Sequence, residues 1–500
     1  MNGNTLRKID ISFIIAGILF FAYFLFRLID QSKIIFYFPF EYINDVSGYI
    51  AILHFFDTYG FMANVSNWYN GFILFSGYPP GFFFFAEPFL LIFKNFGLTF
   101  FILLIFLYIV GFFVINAIGK AINLDIKKRL FLFCFYFFNP ILISHFVRMM
   151  RLPALFSVII MLILILILFY FKDRDLSYKF IALFSFFYSI LVISHPPEFI
   201  LFNFLLLGFF LIKSNKDKIK IIYASLIGLL MSSFWLVRFI YYSTKNYILM
   251  DYSVQLSEFN VFYLSAQLTN FILPAALVIL FFMYIRNKED KLNDILFFGP
   301  VVLLAFLHFF RLTLFIPIVG KIYSAPYTAF FTFFIVLFLI KIDFKYFKFR
   351  SVVPYFIISG SVLFIISGFI FTERFLVPSD VDYRIVDVMG NINERYTFLG
   401  DFPATSYGKA FYSYGAVYYN LSSTSGWAHQ FTTKDYLDKS SNINKYFGIN
   451  DCVGLKSSLI EVNTYEVVGY NNTCKFLDSC SFNNVYSNND ICLYSIKSPI

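Results

Sequence analysis

The sequence predicts a polytopic α-helical membrane protein with a small mixed α/β domain at its C-terminus. Of the 500 residues, 59% are hydrophobic and only 14% are charged, whereas an ordinary soluble domain has roughly 25% charged residues. The mean hydropathy is +0.74. No soluble fold buries that much apolar surface, so the lipid bilayer is the first predicted partner. Apolar runs recur as far as residue 371, after which the composition becomes polar.

Eleven apolar runs have the length of a membrane helix, which needs about 20 residues. The first run has about 19 residues and no small-residue cleavage site follows it, so it is predicted to be a span rather than a signal peptide. The predicted spans lie near residues 11–29, 97–118, 130–145, 153–171, 179–194, 197–212, 219–241, 264–285, 295–310, 326–341 and 352–371.

The basic residues predict how these spans are oriented. One set of alternate connections contains 20 Lys and Arg residues, and the other set, counted from Arg27 onward, contains nine. Basic residues concentrate on the cytoplasmic side of a membrane. The N-terminus is therefore predicted to be cytoplasmic, and residues 372–500 to be extracellular, in a plasma membrane. This bias also explains most of the net charge of +9, so no nucleic acid partner is predicted.

Two domains are predicted from the change in composition. Residues 1–371 form a multi-span membrane domain whose first outer loop, residues 30–96, is far longer than most loops. Residues 372–500 form an exported mixed α/β domain, because short runs with strand character alternate with helical patterns. The predicted strands are Arg395–Leu399, Tyr465–Val468 and Ile491–Ile496, and the predicted helix is Thr433–Phe447.

The cysteines agree with an exported C-terminal domain. Cys452, Cys474, Cys480 and Cys492 all follow the last predicted span, and an even number of cysteines is typical of a disulfide-bonded domain outside the cell. Four cysteines allow three pairings, and the sequence leaves all three open. The fifth, Cys134, lies within a predicted span, where it is expected to be a small packing residue.

The long first loop contains the most suggestive polar residues. Asp45 and Tyr49 have the spacing of one helical face, so a short interfacial helix is predicted there. Pro79 and Pro80 exclude a continuing helix, and the apolar residues after them are predicted to form a re-entrant turn. The alternative interpretation is an interfacial helix on which Asp45 is merely solvated. The same loop contains Glu41, His54, Trp68 and Tyr78.

Further candidates lie in the later outer connections. Arg148 and Arg151 run against the charge bias and suit a phosphate group through their planar donors, although basic residues there also snorkel to lipid headgroups. His195 precedes a rigid Pro pair, where a histidine more often caps a helix than catalyses a reaction. Arg311 and Lys321 flank an apolar stretch that is interpreted as re-entrant.

Several of these motifs resemble those of the GT-C superfamily of membrane glycosyltransferases. They are DVSGY at residues 45–49, Trp68, GYPPG at 77–81, RLP at 151–153 and HP at 195–196. Within the superfamily, the pattern is most similar to the integral membrane proteins called 6-pyruvoyl-tetrahydropterin synthase-related. The pterin wording implies no pterin chemistry here, because the chain has no His triad that would suggest zinc.

The resemblance implies transfer of a sugar from a polyprenyl-phosphate-linked donor to a glycan, lipid or protein acceptor at the outer membrane face. It makes Asp45 either the general base or the carboxylate that orients the acceptor, has Arg148 and Arg151 hold the lipid phosphate, and has His195 stabilise the leaving group. The Trp-Trp-Asp motif of oligosaccharyltransferases is absent, which disfavours protein N-glycosylation. Some relatives use a divalent cation such as Mg²⁺ or Mn²⁺ and others do not, so a metal requirement and its ligands stay open. The predicted substrate-binding residues are completed by Glu41, Tyr49, His54, Trp68, Tyr78, Arg311 and Lys321.

The rival interpretation is a non-enzymatic protein, either a flippase for lipid-linked sugars or an envelope assembly scaffold. A flippase needs an inward-open polar cavity, and the predicted spans contain no run of polar residues that would line one. A scaffold would tolerate the joint loss of Asp45, Arg148 and Arg151.

Overall fold

The structure is a computed structural model that describes residues 3–41, 45–244, 264–286, 291–342, 351–400, 402 and 408–497. Its contacts divide the chain into two compact units. The helical unit consists of Met1–Gln31, Ile102–Phe234 and Asp251–Arg374. The mixed unit consists of Ser32–Phe101, Trp235–Met250 and Phe375–Ile500. The first outer loop thus belongs to the same unit as the C-terminal region.

The helices confirm a polytopic membrane protein. Within the described residues, six helices are long and apolar enough to cross a membrane, or eight if each of two bent pairs forms one span. Three of the eleven predicted spans match neither the six helices nor the two bent pairs. They coincide with apolar helices that are shorter or only partly described, so the count of eleven stays a prediction. The six are Ile9–Ile35, Phe96–Ala121, Leu152–Phe171, Lys291–Phe309, Ser324–Lys341 and Val353–Phe371. The other three are Tyr178–Ser194, Pro196–Ile212 and Leu264–Arg286.

Two of the predicted spans are bent. Ile126–Phe137 continues into Pro140–Arg148 at 51°, and Asn215–Met231 continues into Ser233–Ser243 at 70°. The first bend lies at Asn139, whose side chain accepts a hydrogen bond from the backbone N–H of Leu142 at 3.0 Å and so begins a new helix. The following Pro140 lacks the N–H that would continue the old one.

A buried arginine joins the first and last helices of the helical unit. Arg27 is 2% exposed and donates to the backbone oxygens of Gly368, Thr372 and Glu373 at 2.9, 2.6 and 3.0 Å. These carbonyls lie at or just beyond the end of the helix Val353–Phe371, and the oxygen of Gly368 also accepts from the backbone N–H of Thr372 at 3.1 Å. The guanidinium therefore both neutralises the helix end and fixes where the chain leaves the helical unit.

The mixed unit begins with two helices and a short hairpin. The helix Val46–Tyr59 is followed by strands Asn64–Val65 and Phe72–Ile73, which pair antiparallel. The helix Gly81–Phe93 then starts directly after Pro80, where a re-entrant turn was predicted. A proline suits this position because the first N–H groups of a helix have no internal acceptor.

The C-terminal part of the mixed unit contains a four-stranded sheet. Tyr396–Leu399 pairs in parallel with Glu466–Tyr470, which pairs antiparallel with Ile491–Ser495. Asn483–Asn488 then forms the edge. The three predicted strands are confirmed to within a residue or two. The edge strand was not predicted, because its Asn- and Ser-rich sequence lacks apolar alternation.

Helices complete the C-terminal part and cover the sheet. Phe411, Met389 and Ile385 meet Val468 and Leu493 of the sheet in a buried core. Lys434–Gly448 confirms the predicted helix to within a residue. The other helices are Asp380–Met389, Gly408–Tyr419, Cys452–Glu461 and Asn472–Ser479.

Two disulfides tie this region together. Cys452 pairs with Cys480, and Cys474 pairs with Cys492. One of the three pairings left open by the sequence is therefore selected. Each disulfide joins two elements that are distant in the sequence but adjacent in the fold.

Candidate functional site

Asp45 lies at the start of a helix. It immediately precedes Val46–Tyr59, and its backbone oxygen accepts the first helical hydrogen bond from Tyr49 at 3.2 Å. The carboxyl side chain is partly exposed and does not cap the helix. A carboxylate at a helix N-terminus interacts favourably with the helix dipole. Asp45 thus presents a carboxyl group with access to solvent, one helical turn from Tyr49.

An indole ring covers the first turn of this helix. A Cβ atom on Gly48 would lie 2.1 Å from Cγ of Trp427, so only glycine allows the indole to pack so closely. The Trp427 ring stands edge-on to Tyr49 and Tyr78, with centroids 5.0 and 5.4 Å away. We call Asp45, Tyr49, Tyr78 and Trp427, together with Lys409, the Asp45 cluster.

Two basic side chains from the C-terminal region extend this cluster. Burial lowers the pKa of Lys409 below its ordinary value, and the negative charge of Asp45 acts in the opposite direction. Burial also lowers the pKa of His429, and the positive charge of Lys409 lowers it further. The imidazole of His429 is therefore neutral near pH 7. Together with His429, the Asp45 cluster contains a carboxyl group, a lysine side chain and an imidazole, as well as three aromatic rings.

Close backbone packing holds the segment that carries Trp427. The backbone N–H of Ser423 donates to the oxygen of Asn67 at 2.8 Å. A Cβ atom on Gly426 would lie 2.6 Å from the Trp68 ring, and one on Gly77 would lie 2.3 Å from the oxygen of Gln430. Glycine at 77 and 426 therefore allows the first loop and the 423–431 segment to meet.

The other predicted residues of the first loop contact other residues of the protein. Trp68 is fully buried and donates from Nε1 to the oxygen of Tyr412 at 3.3 Å. Glu41 is 1% exposed and accepts from the backbone N–H of Leu376 at 3.4 Å. His54 is nine residues after Asp45 and therefore on the opposite face of the helix, with its ring 6.1 Å from that of Phe96. Their roles in substrate binding stay predictions.

A second polar group lies in the helical unit. His195 precedes the helix Pro196–Ile212, and its Nδ1 bonds to the buried carboxylate of Glu198. Its Nε2 lies 3.5 Å from the hydroxyl of Tyr323. The guanidinium of Arg151 lies 5.6 Å from the centre of the Tyr323 ring. We call Arg151, His195, Glu198 and Tyr323 the His195 cluster.

The bonding of His195 orients its imidazole. A carboxylate on Nδ1 fixes the ring and leaves Nε2 for a second partner, as in many sites that use histidine. Arg151 supplies a positive charge near the ring of Tyr323. This arrangement is suited to receive an anionic group, with Arg151 as the charge and His195 as a hydrogen-bonding group.

Arg148 holds the end of a helix. It is 2% exposed, and its guanidinium donates to the backbone oxygens of Glu373 and Arg374 at 2.8 and 2.6 Å. Like Arg27, it therefore bonds to the backbone that follows the helix Val353–Phe371. This contact explains why a basic residue lies in a connection that otherwise has few of them. The predicted role of Arg148 in binding the lipid phosphate stays a prediction.

Arg311 and Lys321 lie in a connection made of two 3-10 turns, Leu312–Phe315 and Val319–Lys321. Arg311 has a left-handed backbone, and its guanidinium lies 5.1 Å from the Phe271 ring. Lys321 is exposed. Neither contributes a side chain to the contacts described for the His195 cluster, and their substrate-binding roles stay predictions.

Trp427, Lys409 and Tyr323 were missed as site residues. The first two follow Asp45 by more than 350 positions in the sequence, and no local pattern connects them. Gly426-Trp427 was noticeable only because tryptophan is rare in the chain, with three in all. Within the described residues, no group of three or more His, Cys, Asp or Glu side chains is arranged to hold a metal ion.

The fold is similar to that of two kinds of membrane glycosyltransferase. One is the arabinofuranosyltransferase AftD from Mycobacteria, with a TM-score of 0.58 and 12% identity, over 99% of this chain and 40% of AftD. Another is the oligosaccharyltransferase AglB from Archaeoglobus fulgidus, solved with an inhibitory peptide and a dolichol-phosphate. Its TM-score is 0.54 at 10% identity, over 96% of this chain and 74% of AglB.

A structure of the Archaeoglobus fulgidus oligosaccharyltransferase tethered to an acceptor peptide containing the NVT sequon gives a TM-score of 0.53 at 10% identity, over 96% of this chain and 74% of that protein. No protein-family model matches the chain, and no curated protein matches it in sequence. The predicted GT-C resemblance is therefore confirmed at the level of the fold. The chain spans about 40% of the length of AftD. The narrower likeness to the 6-pyruvoyl-tetrahydropterin synthase-related proteins stays a prediction.

Proposed function

We propose that this protein is a membrane glycosyltransferase that moves a sugar from a polyprenyl-phosphate-linked donor to an acceptor. The observation that carries the proposal is the fold, which both an arabinofuranosyltransferase and an oligosaccharyltransferase share over at least 95% of this chain. Because AglB is described with a dolichol-phosphate, a lipid-linked phosphate is the donor class that this similarity favours.

In this proposal Asp45 is the general base. Transfer requires a proton to leave the acceptor as its oxygen or nitrogen attacks the sugar, and a carboxylate within hydrogen-bond reach accepts it. Asp45 is partly exposed, so an acceptor can reach it, and it interacts electrostatically with Lys409. The neighbouring rings of Tyr49, Tyr78 and Trp427 offer apolar surface to the acceptor.

Arg151 and His195 serve the donor. The phosphate that leaves the sugar gains negative charge in the transition state, and a fixed cation is the strongest means of stabilising it. Arg151 provides such a cation, and Glu198 holds the His195 imidazole in place for a hydrogen bond to the same group.

We further propose that transfer occurs at the outer membrane face. The excess of Lys and Arg in one set of connections supports a cytoplasmic N-terminus. Two disulfides in the C-terminal region support its exposure to an oxidising compartment. Asp45 belongs to the same unit as that region, so it would face the outside.

Sugar transfer in isolated membranes tests this function. Membranes that express the wild type should incorporate radiolabelled sugar from a polyprenyl-phosphate sugar pool into acceptor material, and membranes with Asp45→Asn should incorporate at least 100-fold less, about 2.7 kcal/mol in the barrier. The Asn side chain keeps the size of Asp but cannot accept a proton. Equal incorporation by both forms contradicts the role of Asp45. Incorporation no higher than in empty-vector membranes, with label moved across the bilayer, would indicate the flippase.

A further inference from the structure

The helical unit contains a cavity of about 540 Å³ that none of the proposed chemistry uses. Ligand sites have volumes of about 300–1,000 Å³, so the cavity is large enough to hold one. Three membrane helices provide most of its lining: Leu264–Arg286, Ser324–Lys341 and Val353–Phe371. The members of the Asp45 cluster and of the His195 cluster are not among the lining residues. The cavity is therefore separate from both candidate sites.

The helix Val353–Phe371 stands away from its neighbours beside the cavity. Among the six helices of the described residues that could each cross a membrane, it is the least buried, at 22% of its apolar window. Near its end it packs closely, because a Cβ atom on Gly368 would lie 2.8 Å from Cβ of Pro140. About two turns earlier, a Cβ atom on Gly360 would have no neighbour within 4 Å. The open space at Gly360 belongs to the cavity.

The accessible surface of the cavity is apolar. Phe356 is 72% exposed. Six further apolar side chains of the lining are half-buried: Leu273, Leu280, Met283, Ile335, Leu339 and Phe364. Among the polar residues, Asn139 bonds to backbone groups through both its amide nitrogen and its amide oxygen, while Thr332 and Ser361 are only 7% and 5% exposed. A ligand in the cavity therefore contacts mainly hydrocarbon groups.

The cavity has the length of one membrane leaflet. Its lining on Leu264–Arg286 reaches from Leu273 to Met283, which is about 15 Å at a rise of 1.5 Å per residue. On another helix it reaches from Val353 to Phe364, or about 17 Å. The hydrocarbon core of a bilayer is about 30 Å thick, so one leaflet accounts for about 15 Å. One hydrocarbon chain of a lipid in a single leaflet fits this length.

All three helices place the cavity toward the same membrane surface. The lining lies mainly in the second half of Leu264–Arg286 and of Ser324–Lys341, and it begins at the first residue of Val353–Phe371. Arg286 and Lys341 end the first two helices, within one turn of the last lining residues on each. The headgroup of a lipid whose chain occupies the cavity would therefore lie near these two basic residues.

The charges at this end favour an anionic headgroup. Arg286 is exposed, and the Nζ atom of Lys341 lies 5.9 Å from the centre of the Tyr284 ring. The carboxylate of Asp294 accepts from the hydroxyl of Tyr284 and forms an ion pair with Lys172, which offsets its charge. Basic residues at the cytoplasmic ends of membrane helices attract anionic lipids. A phospholipid with a net negative charge is thus the lipid that this surface suits.

The proposed sugar donor belongs at the other end of these helices. Tyr323 of the His195 cluster directly precedes Ser324–Lys341. The lining on that helix begins only at Thr332, about 14 Å further along the axis. The donor phosphate at the His195 cluster and a headgroup near Lys341 would therefore lie at opposite ends of one membrane helix. The lipid in the cavity is a different molecule from the donor.

We propose that this cavity binds one acyl chain of an anionic phospholipid, whose phosphate lies near Arg286 and Lys341. The chain fills the open space at Gly360 and connects Val353–Phe371 to the rest of the helical unit, so the bound lipid stabilises the fold. The site requires no catalysis and stands whether or not the protein transfers sugars.

Binding of defined phospholipids to the full chain, delipidated in detergent, tests the proposal. Native mass spectrometry counts the bound lipids, and thermal unfolding follows titrations with phosphatidylglycerol, which is anionic, and with phosphatidylcholine, which has no net charge. One phosphatidylglycerol should bind per chain and should raise the melting temperature at a concentration about tenfold lower than phosphatidylcholine requires. Gly360→Phe should weaken this binding about tenfold, because the ring occupies the cavity. Without lipid, that variant should melt no lower than the wild type.

Gly299→Phe is the matched control for the filled cavity. A Cβ atom on Gly299 also has no neighbour within 4 Å, but Gly299 is outside the lining. This variant should bind phosphatidylglycerol as the wild type does. Replacing Arg286 and Lys341 together by Gln should abolish the preference for phosphatidylglycerol over phosphatidylcholine while one lipid still binds. If Gly360→Phe does not fold, Gly360→Leu provides the same comparison with a smaller side chain.

Three results would overturn the proposal. The first is equal affinity of the wild type and the folded Gly360 variant for phosphatidylglycerol, since the lipid would then bind elsewhere. The second is equal affinity of the wild type for phosphatidylglycerol and phosphatidylcholine. The third is a polyprenyl phosphate that displaces the bound phospholipid from the wild type and binds the Gly360 variant more weakly, since the cavity would then hold the chain of the sugar donor.

Discussion

The packing of Trp427 on Gly48 predicts that Gly48→Ala destabilises the wild type but stabilises a variant that lacks the indole. Gly48→Ala places a methyl group 2.1 Å from Cγ of Trp427 and 2.3 Å from Cδ2. No such contact is tolerated, so the indole or the helix must move. Inserting a carbon into a packed site typically costs about 1–3 kcal/mol. Alanine within a helix gains about 1 kcal/mol over glycine, so the net loss is up to about 2 kcal/mol.

The same substitution should stabilise a protein that lacks the indole. In the Trp427→Ala background nothing meets the new methyl group, so Gly48→Ala retains only its helical gain of about 1 kcal/mol. The coupling between the two positions therefore equals the overpacking cost, about 1–3 kcal/mol. A pair that did not touch would show no coupling.

Melting temperatures of the four proteins of this cycle, purified in one detergent, provide the assay. Gly48→Ala should lower the melting temperature of the wild type and raise or preserve that of Trp427→Ala. Gly360→Ala is a control, because a Cβ atom there has no neighbour within 4 Å, and it should behave alike in both backgrounds. An equal effect of Gly48→Ala in the two backgrounds would show that Trp427 does not cover the start of the helix.

Three further predictions concern stability. Arg148→Met should lower the free energy of unfolding by about 3 kcal/mol, because two carbonyls at a helix end lose a charged donor. Thermal unfolding measures this change. An unchanged melting temperature would show that Arg148 does not stabilise the helix end. Replacing both Cys474 and Cys492 by Ser should cost about 3 kcal/mol for a loop of 18 residues, and reducing agent should then have less effect on the variant's melting temperature than on the wild type's. Because the fold lowers the pKa of His429, the free energy of unfolding is highest above the ordinary histidine pKa of 6.5 and falls as the pH drops below that value. In melting curves between pH 8 and pH 5, the melting temperature of His429→Gln should therefore decline less than that of the wild type. A parallel decline of the two proteins would contradict this.

The sequence predicted the membrane fold well because hydropathy is a strong and local signal. The positions of the helices and of three strands follow from apolar runs and alternation. The bend at Asn139-Pro140 was not predicted, since hydropathy continues through it unchanged. The edge strand Asn483–Asn488 was missed because only its neighbour Ile491–Ser495 brings it into the sheet.

The members of the two candidate clusters were predicted in part. Asp45, Tyr49 and His195 were found from residue type and local spacing. Trp427 and Lys409 were not, because their proximity to Asp45 depends on the fold of a region several hundred residues away. Trp68 was predicted from its residue type to contact the substrate; the structure buries it completely, and its role in substrate binding stays a prediction.

Arg148 shows that one charge can have two explanations. A basic residue against the topological bias indicated a bound anion, yet its guanidinium bonds to backbone carbonyls at a helix end. A helix C-terminus carries partial negative charge, so it satisfies the same requirement as a phosphate. Sequence reasoning cannot separate these two partners, because the helix end that Arg148 contacts lies more than 200 residues further along.

The central claim, Asp45-dependent sugar transfer, is tested most directly with purified protein in liposomes. The liposomes would contain the radiolabelled polyprenyl-phosphate sugar lipids of a cell extract, with membrane acceptors added. Asp57→Asn is the matched control, since Asp57 is an exposed carboxylate on the same helix. The account predicts label transferred by the wild type and by Asp57→Asn and a loss of at least 100-fold in Asp45→Asn, about 2.7 kcal/mol. Equal transfer by all three proteins, with folding preserved, would contradict it.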